Sequence, residues 1–124
     1  RGENPLESVE RLKPVVKIND IIATMHSIKR VYVSQEVAQV CVSIAQRTRN
    51  HPNILLGVST RGLVHLVSCA KALAYFRGRD FVVPEDIFEL SVHCLAHRIV
   101  VRDHEQPDIL IREIVDEVKA FVKI

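Results

Sequence analysis

The stretch Ser59-Thr60-Arg61-Gly62-Leu63-Val64-His65-Leu66-Val67-Ser68-Cys69-Ala70-Lys71-Ala72-Leu73-Ala74 decides how the chain of 124 residues is read. Leu63, Leu66, Val67, Ala70, Leu73 and Ala74 recur three and four residues apart, the spacing of one helix face. Ser59 or Thr60 stands where an N-cap is needed, and Gly78 is placed to end the helix in a left-handed conformation. Working outward, Val37, Val40, Cys41, Ile44 and Ala45 repeat the pattern. That helix is entered through Ser34 with Glu36 in its first turn and is stopped at Asn50-His51-Pro52. Before it, Ile18, Ile21, Ile22 and Met25 form a further stripe that ends near Lys29-Arg30. Downstream, Pro84 opens a helix with Glu85 and Asp86 in its first turn and Ile87, Leu90, Cys94 and Leu95 facing inward. A last stripe after Pro107 contains Ile111, Ile114, Val115, Val118 and Val122. Two β-prone triplets, Val31-Tyr32-Val33 and Phe81-Val82-Val83, leave room for one short two-stranded β-pairing, and Ile99-Val100-Val101 fits either a helix extension or a strand. The expected fold is all-α, a small bundle of about five helices.

With 48% apolar and 26% charged residues, a chain of this length supports one core. The net charge of +2 is dispersed, with no block of Lys/Arg, so no nucleic-acid or membrane partner is indicated. Cys41, Cys69 and Cys94 are an odd number at wide spacing among apolar neighbours, which predicts reduced core thiols of a cytoplasmic protein. No apolar run approaches the ~20 residues of a bilayer span. The opening Arg1-Gly2-Glu3-Asn4 has no initiator Met and no signal pattern, so a piece of a longer polypeptide is expected.

Chemistry concentrates in Gly57-Val58-Ser59-Thr60-Arg61-Gly62, at the start of the central helix. Gly57 and Gly62 have P-loop spacing, but Leu63 and Val64 follow where Lys and Ser/Thr are required. A nucleophile elbow fails because Arg61 occupies the place of its second glycine. What survives is one arginine offered at a helix start to a phosphate held elsewhere. Residue type and spacing alone favour a solvated or carboxylate-paired Arg61, because surface arginines are common and a helix start does not favour a cation. Arg49, at the end of the preceding helix, is a weaker nucleotide-binding candidate. Its alternatives are a helix C-terminal cation or a partner for Asp80, Glu85 and Asp86.

Other signals point to no site. His93 and His97 have zinc-ligand spacing with Cys94 between them, but a third ligand would require Cys69 or His65 to fold close, and no metal is expected. Glu85-Asp86 and Asp116-Glu117 are read as solvated carboxylates. Six aromatic residues and no Trp make a poor base-stacking surface.

The residues also resemble a known family. The runs Arg47-Thr48-Arg49-Asn50-His51-Pro52, Gly57-Val58-Ser59-Thr60-Arg61, Ala70-Lys71-Ala72-Leu73-Ala74, Gly78-Arg79-Asp80-Phe81-Val82-Val83-Pro84-Glu85-Asp86-Ile87 and His97-Arg98 look like the C-terminal lid of MoxR-family AAA+ ATPases. Asn4-Pro5-Leu6 and Pro14-Val15-Val16 resemble the connector from that family's core. The family usually has Ala-Ser-Pro where Val58-Ser59-Thr60 stands, and Val-Thr-Pro where Val82-Val83-Pro84 stands.

The resemblance implies a connector at residues 1–16 and a helical lid at 17–124. It implies that Arg61 is the sensor-2 arginine, facing the γ-phosphate of ATP, with Gly57, Ser59, Thr60 and, more weakly, Arg49 around the nucleotide. Walker motifs, magnesium and hydrolysis would belong to an upstream AAA+ core, leaving this chain without catalytic residues and with no cofactor of its own. A homo-oligomeric ring, expected to be hexameric, chaperone-like remodelling and a partner with a von Willebrand factor A domain follow by the same resemblance. The alternative is a helical protein- or DNA-binding module with no ATPase role.

Overall fold

A computed structural model describes residues 5–122. Six α-helices run in chain order: α1 Pro5–Glu10, α2 Ile18–Lys29, α3 Gln35–Arg49, α4 Thr60–Phe76, α5 Pro84–Leu95 and α6 Pro107–Phe121. Two short strands, β1 Ile54–Leu56 and β2 Val100–Val101, pair antiparallel, and Ala96–Arg98 form a 3-10 turn between α5 and β2. Helices α2 to α6 correspond to the five apolar stripes. The additional α1 lies within the segment expected to be a connector and contains no buried residue. Asn4, the first residue of the proposed connector motif, lies outside the described residues.

The punctuation works as its chemistry requires. Ser34 caps α3 by accepting from the Val37 N–H at 3.1 Å, and Gly78 ends the region of α4 at φ 79°. Val83 has no hydroxyl to cap α5. Instead Asp86, three residues in, accepts from the Val83 N–H at 3.0 Å, which is half of a capping box.

The core lies among α3, α4, α5 and α6, with α5 packed against both α4 and α6 and α3 against α6. Ile44, Leu66, Ile87, Leu95, Ile111 and Ile114 are its largest fully buried apolar side chains. The inward row of α4 is Gly62, Leu66, Ala70 and Ala74. Three small residues in four let neighbouring elements approach closely, and Leu66 is the one large side chain in that row. Burial pushes the Cys41 thiol up to about 11, as suits an inert core cysteine.

One expectation is corrected. The triplets around Tyr32 and Phe81 meet in only a single parallel bridge, while the antiparallel pairing joins β1 to β2. Three-residue strands are specified by what lies across from them. Here Arg102 donates its backbone N–H to Asn53 O and its Nε to Pro52 O, closing that pairing. Helix α2 forms where its stripe predicts but buries no residue: Ile18, Ile21, Ile22 and Met25 are all exposed. The helix is held along α4, with Lys71 Nζ donating to Lys29 O, and its apolar stripe borders an open groove with Phe76. Periodicity had identified an amphipathic helix but carried no information about a partner for its apolar face.

The turn from α4 into α5 is fixed by charge. Arg79 forks onto the buried Asp86 carboxylate at 2.7 and 2.8 Å, and Arg77 pairs with Glu89 at 2.7 Å. Burial pushes the Asp86 carboxyl up. The Arg79 fork, the Val83 N–H and the charges of Arg79 and Arg77 outweigh it and hold the group below the usual carboxylate range.

Candidate functional site: the arginine at the start of α4

The loop between β1 and α4 is gripped by the last turn of α3. Thr48, fully buried, donates its hydroxyl to Ala45 O at 2.6 Å and accepts from the Val58 N–H at 3.0 Å. Arg49 donates Nε to Val58 O at 2.9 Å. Both polar groups of the buried Val58 are thereby satisfied by adjacent residues of one helix. Gly57 lies against the same turn: a Cβ there would be 2.8 Å from the backbone N and Cα of Arg49. Close packing, with no Cβ tolerated, is the structural reason for glycine at 57.

Thr48 was quoted in the sequence only as part of a motif, and its grip on Val58 was not anticipated. Thr48→Val keeps the shape but leaves a buried N–H unpaired, and is expected to cost about 1–3 kcal/mol in chemical denaturation. A change within 0.3 kcal/mol, roughly the scatter of additive surface effects, would show that the hydroxyl does not hold the loop.

Ser59 caps α4, accepting from the Gly62 N–H at 3.2 Å. Thr60 is the first helical residue and is exposed. Arg61 follows, also exposed, and among the described residues its guanidinium makes no hydrogen bond or ion pair. The carboxylate-paired reading of Arg61 is therefore not what the fold contains. Among the described α-helices, α4 alone has no acidic residue in its first turn. A cation at the positive end of a helix is unfavourable by itself. An anion at this point would relieve both Arg61 and the free N–H groups of the first turn.

Arg49 is not part of the acidic patch. Asp86 is taken by Arg79 and Arg77, so the proposed pairing of Arg49 with Asp80, Glu85 or Asp86 gives way to its bond with Val58. A residue that sequence reasoning passed over is Arg98, beneath Gly62. Its Cδ would be 3.2 Å from a Cβ at Gly62, and its buried Nε has no hydrogen-bond partner among the described residues. The His97-Arg98 motif was the available signal, but neither residue's position relative to α4 could be read from it.

His65, Cys69 and Cys94 also come together, with their ligand atoms within 4.8 Å of one another. The group includes neither His93 nor His97.

Comparison with known proteins bears on this arrangement. Residues 46–118, which include the α3 clamp, the loop, Arg61 and Arg98, match the family model described as the AAA lid domain. The chain is 34% identical over 120 residues to the uncharacterized protein YeaC of Bacillus subtilis, covering 93% of this chain and 38% of YeaC. It is 33% identical over 70 residues to the chaperone MoxR1 of Mycobacterium tuberculosis, covering 52% of this chain and 19% of MoxR1. A crystal structure from Cytophaga hutchinsonii, of a protein assigned as an ATPase, superposes with a TM-score of 0.76 at 27% identity. That match covers 96% of this chain and 41% of the other. The chain thus spans about two fifths or less of the length of each of these relatives. With α4, α5, most of α6, the clamped loop and the motif arginine in the matched region, the chain belongs to the AAA lid domain family, in the form found in MoxR-type AAA+ ATPases.

Proposed function

We propose that this lid senses nucleotide for an AAA+ ATPase, with Arg61 contacting the γ-phosphate of ATP bound by a core domain of the same protein. The observation that carries this reading is the exposed, unpaired Arg61 guanidinium at the N-terminus of α4, on a loop held from behind by Thr48 and Arg49. The residues fit a phosphate contact and little more. Arg61 supplies a permanent charge with a planar fork of donors, and the first turn of α4 adds N–H groups. Ser59 and Gly57 serve the loop's own geometry, and Thr60 is the hydroxyl left free to face a ligand. Arg49 acts through Val58, positioning the loop.

In the whole protein, the magnesium nucleotide would supply the charge that draws Arg61 inward, and hydrolysis would remove the outermost phosphate and release it. Residues 1–16 would connect the lid to the core. A ring, expected to be hexameric, chaperone-like remodelling, a von Willebrand factor A domain partner and a cytoplasmic location complete the proposal. No described helix is long and apolar enough to cross a membrane.

Arg61→Ala in the complete ATPase is expected to lower turnover or nucleotide-driven closure roughly 10- to 100-fold, the equivalent of one hydrogen-bonded charge contact of about 1.5–3 kcal/mol. The melting temperature of the lid should not fall, because the Arg61 guanidinium makes no hydrogen bond or ion pair among the described residues. Unchanged ATPase kinetics over a full range of ATP concentrations would remove Arg61 from the mechanism. Salt-dependent DNA binding, lost when several Lys/Arg are replaced together, would instead favour a nucleic-acid module.

A further inference from the structure

We propose that His65, Cys69 and Cys94 form a zinc-binding site joining α4 to α5. His65 and Cys69 are one turn apart on α4, and Cys94 reaches them from the facing helix. The ring nitrogen and the two sulfurs all lie within 4.8 Å of one another, with Cys69 Sγ 3.7 Å from His65 Nε2. In tetrahedral zinc, with Zn–S near 2.3 Å and Zn–N near 2.0–2.1 Å, neighbouring donors stand roughly 3.5–3.8 Å apart. The Cys69–His65 pair is already at that spacing, and a small side-chain rotation would bring Cys94 into range.

Donor chemistry and access agree with this assignment. Two thiolates and an imidazole suit zinc among the divalent cations, and the two thiolates neutralise its charge. Cys94 is buried, Cys69 half-buried and His65 exposed, so an ion can enter from the solvent side of α4 and water can complete the fourth position. Without metal, burial and the neighbouring Cys69 push the Cys94 thiol up to about 11, while the Arg98 charge pulls it down. Metal must displace protons to bind, so affinity rises with pH. Because the site lies on the helix that begins at Thr60, occupancy would fix the α4–α5 seam one turn from Arg61.

The full chain, metal-free and held reduced by a phosphine, is titrated with Co(II) and then Zn(II). One Co(II) per chain is expected, with sulfur-to-cobalt charge-transfer absorption that zinc abolishes. Zinc should also raise the melting temperature and shield two thiols from a thiol reagent. Cys69→Ser and His65→Gln change residues towards the solvent side and should keep the helical circular-dichroism spectrum. Each should weaken zinc by more than about 100-fold, beyond the 10–100-fold typical of losses outside the coordination sphere. His93→Gln should change nothing. Absence of the charge-transfer band at millimolar cobalt, unchanged affinity in Cys69→Ser, or loss of binding in His93→Gln would each overturn the assignment.

Discussion

Asp86→Ala is expected to destabilise the chain by about 3 kcal/mol, the low end of the range for breaking a buried ion pair, since Arg79 keeps some access to water. The carboxylate holds together the Arg79 fork and the N–H of Val83, the residue just before α5, and it is itself almost wholly buried. Losing it leaves Arg79 without its bidentate partner and α5 without its cap. The sign of the pH effect follows from the direction of the shift. Asp86 is held below its usual range in the folded state, so its contribution is present in full above the ordinary carboxylate value of about 3.9. It is lost as pH falls through that value towards the depressed one in the folded chain. Urea midpoints should therefore separate wild type from variant widely at pH 7 and much less near pH 2, with unchanged m-values. A gap that survives acidification would mean that the stabilisation is not carried by an ionised carboxylate.

Leu66→Ala is expected to cost about 2–5 kcal/mol, as for other fully buried leucines. The upper half of that range is favoured because its neighbours along that row, Gly62, Ala70 and Ala74, have no side-chain atom beyond Cβ that could move into the cavity. Val64, on the outer side of the same helix, provides the control: Val64→Ala should stay within about 0.5 kcal/mol. Similar losses at the two positions, measured by chemical denaturation, would contradict the packing of α4 against α5.

These cases show what is readable from the chain. The helices were legible because their stripes are long and their ends are marked by residues with local reasons to be there, namely Ser34, Ser59, Gly78 and Pro84. The seam of small residues on α4 was legible as a face, but its closeness to α5 was not. The strand pairing escaped because β1 and β2 are only three and two residues long, and their partnership spans more than forty residues of chain. At the candidate site, Arg61 stood out through its flanking glycines and the family motif. The grip of Thr48 and Arg49 on Val58 did not. It depends on two backbone atoms nine and ten residues away, and no local pattern encodes that contact. Gly57 was read as part of an anion loop, whereas its main constraint is the backbone of Arg49. His65, Cys69 and Cys94 were each noticed, but only the crossing of α4 and α5 could group them.

The bond from Arg49 and the hydroxyl of Thr48 leave the segment before α4 with little slack. In mechanical terms, Arg61 is mounted on a bracket bolted to α3 on one side and continuous with α4 on the other. Any pull on its tip would be delivered to the helical body as a torque instead of being absorbed by a bending loop.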